Sequence, residues 1–300
     1  MGRMSVSLCG IELSNCVMNA SGCWCRTKEE LDDLNASNSG AMVSKSCTLN
    51  YRKGNDNPRY HDNELGSINS MGMPNEGIDF YSKYGLFKQK PYIISVGALS
   101  LDETLKVLER VKNYDLIELN VSCPNIVGKP QLGYDTVELD RYLDIIFSRF
   151  NLKIGLKLPP YFDPIHFGQV AEVIKKYPVK FITVINSLGN GLILKDDEVS
   201  IAPKGGLGGI GGDYCKPTAL ANVRQFYELL KDTDIDIIGC GGIKSGRDVY
   251  EHILCGATAV QVGTHLVKSG TECFSRILNE LSEYVGDKSL NEIRGKLKVY

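Results

Sequence analysis

Eight short β-rich runs separated by amphipathic helical stretches predict an α/β chain of the (β/α)8 TIM-barrel class. The runs are residues 17–21, 41–46, 92–96, 116–122, 153–158, 181–187, 236–241 and 259–264. Between them, residues 101–111, 137–150, 165–177, 219–230 and 246–254 space their apolar side chains as helices that cover a sheet. The third observation is that the runs end in polar residues or glycine, as strands do when they deliver groups to an active face. A doubly wound sheet is the alternative architecture.

The elements follow in order. Residues 6–13 alternate around Cys9-Gly10, which suits a small hairpin capping the amino end of the barrel. Two intervals, 48–89 and 188–217, are too long for plain βα loops, and both follow the carboxyl ends of proposed strands. No low-complexity tail or linker interrupts the 300 residues, and barrels routinely use about 250 as one domain, so 1–300 reads as a single domain.

Net charge is −2 with no long basic block, which argues against nucleic acid or an anionic membrane as partner. No apolar stretch reaches membrane-spanning length, and the first residues lack the apolar core of a secretory signal. The ten cysteines include one C-x-C, Cys23 and Cys25, and no C-x-x-C pair. Free thiols in a reducing cytoplasm are therefore expected, with no metal site. The four histidines show no metal-ligand spacing and receive no catalytic role.

The strand tips carry the chemistry. In order they are Ala20-Ser21-Gly22, Lys45-Ser46, Asn120 with Cys123, Lys157, Asn186-Ser187, Cys240-Gly241-Gly242 and Gly263-Thr264. Two lysines ending apolar strands are costly unless an anion or electron-rich ring meets them; the alternative is that each snorkels to the rim. Glycines after the last two strands let backbone N–H groups close on a phosphate, although tight turns alone also want glycine. Gly206-x-Gly208-x-x-Gly211 matches a dinucleotide fingerprint in form only, because Ala202-Pro203-Lys204 precedes it rather than a strand. In the first long interval, Asn69-Ser70-Met71-Gly72-Met73-Pro74-Asn75 offers carboxamides able to hydrogen-bond an imide or carboxylate.

With these residues in view, the chain resembles the dihydroorotate dehydrogenases, in particular the soluble, fumarate-using class 1A enzymes. The likeness runs from about Ser5 to the C-terminus. It is carried by Val43-Ser44-Lys45-Ser46-Cys47-Thr48, by Gly66-Ser67-Ile68-Asn69 running on into the segment just quoted, and by Glu118-Leu119-Asn120-Val121-Ser122-Cys123-Pro124-Asn125. Pro159-Pro160-Tyr161-Phe162-Asp163, Asn186-Ser187-Leu188-Gly189-Asn190-Gly191 and Lys216-Pro217-Thr218-Ala219-Leu220-Ala221-Asn222-Val223 continue it. Ala202 and Leu207 stand where relatives usually carry lysine and phenylalanine.

The resemblance implies FMN as cofactor and oxidation of dihydroorotate to orotate in pyrimidine synthesis. Fumarate, becoming succinate, would be the electron acceptor. Cys123 would be the base that removes the C5 proton, with hydride leaving C6 for the flavin. Lys45, Asn69, Met71, Gly72, Met73, Asn120, Asn125, Asn186 and Ser187 would frame the substrate. Ala20, Ser21, Gly22, Lys45, Ser46, Asn120, Lys157, Gly212, Cys240, Gly241, Gly242, Gly263 and Thr264 would hold the flavin, with Lys157 at the N1/O2 edge. Residues 124–133 would form a lid, and a cytoplasmic homodimer is implied. Serine in place of Cys123 and a membrane extension would mark class 2, and neither is present. A class 1B subunit passing electrons to NAD through a partner stays open, as does a flavin-free phosphate-binding barrel isomerase or aldolase.

Overall fold

Strands buried on both faces require helices outside and packed side chains inside, and the computed structural model of this chain meets that requirement with a barrel. It describes residues 2–122 and 131–298. The strands are β1 (Val17–Asn19), β2 (Met42–Val43), β3 (Tyr92–Gly97), β4 (Leu116–Asn120), β5 (Ile154–Lys157), β6 (Phe181–Val184), β7 (Asp236–Cys240) and β8 (Ala259–Val262). All pair in parallel in the sheet order β1-β8-β7-β6-β5-β4-β3-β2. Each lies within one of the eight runs expected from the sequence, apart from Gly97 at the end of β3.

Closure between β1 and β2 is made differently from the other seams. One parallel bridge joins Met18 to Ala41. Beside it the fully buried Asn19 carboxamide accepts from Val43 N at 2.8 Å and donates to Val43 O at 2.8 Å. A side chain thus supplies two ladder bonds that the short β2 backbone does not, leaving these buried backbone groups paired.

The hairpin forms as expected, with Val6–Leu8 antiparallel to Ile11–Leu13. Cys9 and Gly10 both adopt positive φ (53° and 78°), the two-residue turn whose twist matches the strands it joins. Cys9 N donates to Asp236 Oδ2 at 2.7 Å, and its thiol donates to Lys180 O, at the amino ends of β7 and β6. The hairpin therefore sits at the amino end of the barrel.

Helices Leu101–Arg110, Thr136–Arg149, Pro164–Lys175, Lys216–Leu230 and Gly246–Cys255 occupy the stretches with helical spacing. Ser100, Asp135, Asp163 and Ser245 cap four of them through side-chain oxygens that accept first-turn N–H groups. Lys28–Ala36, Ile78–Tyr84 and Cys273–Val285 are further helices, the first opened by a Thr27–Glu30 capping box.

The two long intervals build one structure together. Strands Tyr60–Asn63 and Gly66–Asn69 of the first join Leu188–Leu192 and Leu207–Gly212 of the second in a four-stranded antiparallel sheet. Its glycines are demanded by close approach: a Cβ on Gly66 would lie 2.0 Å from Gly211 O. The run Leu207–Gly212 is thus an antiparallel strand, not the turn of a dinucleotide site.

Inside the barrel, Gly155 lies beneath the Phe181 ring, and a Cβ there would meet three ring carbons at 2.4 Å. Gly155→Ala must displace that buried ring. It is expected to lower stability by about 1–3 kcal/mol, the range for overpacking a dense core, as read by urea denaturation.

Candidate active site

Where the barrel strands end, a cavity of about 950 Å³ opens beneath the insert sheet. Every residue that the resemblance assigns to substrate or flavin, where the structure describes it, lines it. Ala20, Ser21 and Gly22 follow β1, and Lys45 and Ser46 follow β2. Asn120 ends β4, Lys157 ends β5, and Asn186 and Ser187 follow β6. Cys240, Gly241 and Gly242 come from β7, and Gly263 and Thr264 from β8. The inserts supply Asn69, Met71, Gly72, Met73 and Gly212. Cys123 and Asn125 lie outside the described residues, as does the expected lid apart from residues 131–133. The flanking Ser122 and Gln131 both line the cavity.

Two lysines dominate the electrostatics. Lys45 is 8% exposed and Lys157 5% exposed, so neither snorkels into solvent. The Lys45 ammonium makes no hydrogen bond or ion pair among the described residues. It packs against Gly22, where a Cβ would come within 3.1 Å of Nζ and where φ is +113°. Lys157 Nζ donates to Gln261 Oε1 at 2.9 Å, and no carboxylate of the described residues forms an ion pair with it. Buried positive charge facing a cavity favours an anionic or electron-rich ligand.

Neutral donors and acceptors link the ends of β1, β2, β3, β4 and β6. Ser46 Oγ contacts Ser21 Oγ at 3.0 Å and Ser95 Oγ at 2.9 Å, and accepts from Asn120 Nδ2 at 3.2 Å. Ser122 Oγ donates to Asn120 Oδ1 at 2.9 Å and accepts from Asn186 Nδ2 at 2.5 Å. Asn186 Oδ1 accepts from Ser187 N. These bonds fix which face of each amide is turned to the cavity. The sequence pattern singles out no separate role for Ser122, although it lies within the Asn120–Asn125 motif. By contrast Asn75, read as a possible ligand contact, is fully buried and already bonded to Thr48, Gly77 and Met73. It holds the insert loop together.

At the β7 end, Gly241 and Gly242 adopt φ of +132° and +71°. Cβ atoms there would approach Ala219 Cβ at 2.7 Å and Lys216 Cβ at 2.2 Å, so this turn admits only glycine against helix Lys216–Leu230. His252 Nε2 lies 3.1 Å from Gly241 O, which makes it the donor and fixes the tautomer. Two of the cavity cysteines, Cys23 and Cys215, are thiols rather than thiolates at neutral pH: burial pushes them up to about 11 and about 12.

Fold and site together define a barrel that gathers buried cations, amides and glycine turns around a cavity at its carboxyl end. The family model for dihydroorotate dehydrogenase matches residues 3–285. A Streptococcus pneumoniae protein named as a probable dihydroorotate dehydrogenase A (fumarate) is 50% identical, the match covering 99% of each chain. One of the same name from Enterococcus faecalis is 48% identical over 98% of this chain and 99% of its own. A crystal structure of DHODH from Eimeria tenella, in complex with ferulenol, shares the fold with a TM-score of 0.79 at 20% identity, covering 99% of this chain and 89% of that one. The chain belongs to the dihydroorotate dehydrogenase family.

Burial lowers the His252 imidazole to about 4 from 6.5, outweighing the opposing pull of its bond to Gly241. Between those values the unfolded chain binds the extra proton, so this contribution is complete above about pH 6.5 and is lost as pH falls toward 4. Urea midpoints are expected to drop across that window, with His252→Gln removing up to about 3 kcal/mol of the acid-side loss. An unchanged pH slope in the variant would contradict the assignment.

Proposed function

We propose that this chain is an FMN-dependent dihydroorotate dehydrogenase that oxidises dihydroorotate to orotate in pyrimidine synthesis and passes the electrons to fumarate. The observation that carries the proposal is the pair of buried, cavity-facing ammoniums, Lys45 and Lys157, inside a cavity whose described lining falls within the residues that the family model spans. The residues fit the cofactor. The Gly241-Gly242 turn and Gly263-Thr264 suit a phosphate, Lys157 the ring's N1/O2 edge, and Ser21, Ser46 and Asn120 its polar rim. Gly22 leaves room for Lys45, and Cys240 and Gly212 form wall. FMN held by these residues would supply the hydride acceptor for the oxidation.

The protein's own contribution is binding, orientation and proton removal. Asn69, Asn120, Asn186 and Ser187, with Asn125, hydrogen-bond the pyrimidine and its carboxylate, and Lys45 offsets that carboxylate's charge. Backbone around Met71, Gly72 and Met73 closes the pocket edge. Cys123 removes the C5 proton, a role suited to cysteine because its side chain ionises far more readily than that of serine. Because proton and hydride leave neighbouring carbons, base and hydride acceptor would address opposite faces of the substrate.

We also read the protein as cytoplasmic and homodimeric, one domain throughout. The nine described cysteines are all free, and no helix among the described residues is long and apolar enough to cross a membrane. Leu192, Leu194, Val199 and Leu207 expose apolar surface on the second insert, which supports a face for a second copy. Sedimentation at micromolar concentration checks this reading: a monomer contradicts it.

Anaerobic addition of dihydroorotate to the purified protein is expected to bleach a flavin spectrum, and fumarate, not NAD, to restore it. Colourless protein, or a spectrum that dihydroorotate leaves unchanged, contradicts the proposal. Cys123→Ser is expected to lose at least about 100-fold in kcat while keeping stoichiometric FMN, since serine is a far weaker base. Unchanged turnover would remove Cys123 from the mechanism.

A further inference from the structure

Beneath Lys157, the barrel interior holds a polar chain that no described contact with the cavity explains. Glu118, in the middle of β4, is fully buried. Its Oε2 accepts from Gln261 Nε2 at 2.7 Å and from Thr183 Oγ1 at 2.8 Å, while Oε1 has no partner among the described residues. Gln261, on β8 and also fully buried, uses its other amide atom to accept from Lys157 Nζ at 2.9 Å. The amide is therefore oriented by both ends: N–H to a carboxylate, C=O to an ammonium. Four strands contribute one member each: Glu118 from β4, Lys157 from β5, Thr183 from β6 and Gln261 from β8.

A buried carboxylate is costly without a cation, and Lys157 is the cation joined to it. A direct ion pair would draw the ammonium down into the barrel. Gln261 prevents that collapse: it carries the attraction through its dipole and leaves the remaining Nζ protons free for the cavity. We propose that Glu118 and Gln261 are positioning residues for the flavin, Glu118 as the counter-charge of Lys157 and Gln261 as the spacer. Together they set how strongly Lys157 stabilises negative charge on the reduced ring, and hence the reduction potential. This inference rests on the flavin reading given above.

The test is the midpoint potential of the bound flavin in holoprotein. Glu118→Gln keeps a hydrogen-bonding side chain and removes the charge. It is expected to favour the reduced ring by roughly tenfold, the scale of one nearby unit charge in a protein interior, or about 30 mV more positive. Gln261→Met keeps both charges and removes the bridge, so the ammonium retreats toward Glu118 and the potential moves negative. Shifts of opposite sign are the signature, because a merely structural role would not reverse between the two variants. Either potential unchanged at full flavin occupancy overturns the inference.

Should neither variant yield folded holoprotein, wild type labelled with 13C-glutamate decides. Its reduced-minus-oxidised infrared spectrum is expected to contain a shifted glutamate carboxylate band, and a spectrum without one overturns the inference. Wild type that binds no flavin would instead defeat the functional proposal, so the two failures are distinguishable.

Discussion

Buried positive charge at the carboxyl end of the barrel is the constraint around which this structure is arranged. Lys45 and Lys157 end apolar strands, and both remain almost wholly buried. Ammoniums held in such surroundings need rigid, polar neighbours and a reason to face inward. The layer at this level supplies both: Ser95 and Asn120 each bond Ser46, and Gln261 and Glu118 support Lys157 from below. Deeper, the interior returns to apolar packing, with Phe181 over Gly155. The barrel thus changes from oil to electrostatics within a few residues along each strand.

The second arrangement serving this layer is the roof. Residues from two intervals more than a hundred positions apart pair as one antiparallel sheet, and its glycines allow the strands to approach closely. That sheet carries Asn69 and Gly212 to the cavity and restricts its opening. Ser67 Oγ, on the same sheet, contacts Thr264 Oγ1 at 2.9 Å, tying the roof to the end of β8. A rigid scaffold bearing functional side chains on its connecting segments is how this barrel class varies its chemistry. The Gly241 turn is treated similarly, held from behind by His252 and close-packed against helix Lys216–Leu230.

The sequence alone determined the eight strands, because a run of apolar residues ending in polar ones has few other uses in a chain with this alternation. It also determined the hairpin, since Cys9-Gly10 suits a two-residue turn between alternating segments. The strand-tip residues were legible for the same reason: lysine, asparagine and glycine at the ends of buried strands conflict with their surroundings unless a ligand meets them. Tertiary structure decided what depends on partners distant in the chain. Glycine spacing could not reveal that Leu207–Gly212 pairs with Gly66–Asn69, because glycine carries no side-chain pattern to mark strand or register. The sequence allows Asn75 to be either a ligand contact or part of an ordered loop, and in the fold Thr48, Gly77 and Met73 bond it within the loop. Glu118 and Gln261 gave a faint signal, one polar residue inside each of two apolar strands, but 143 positions separate them. Hydrogen bonding requires that separation to close to a few ångströms, and only the closed barrel does so.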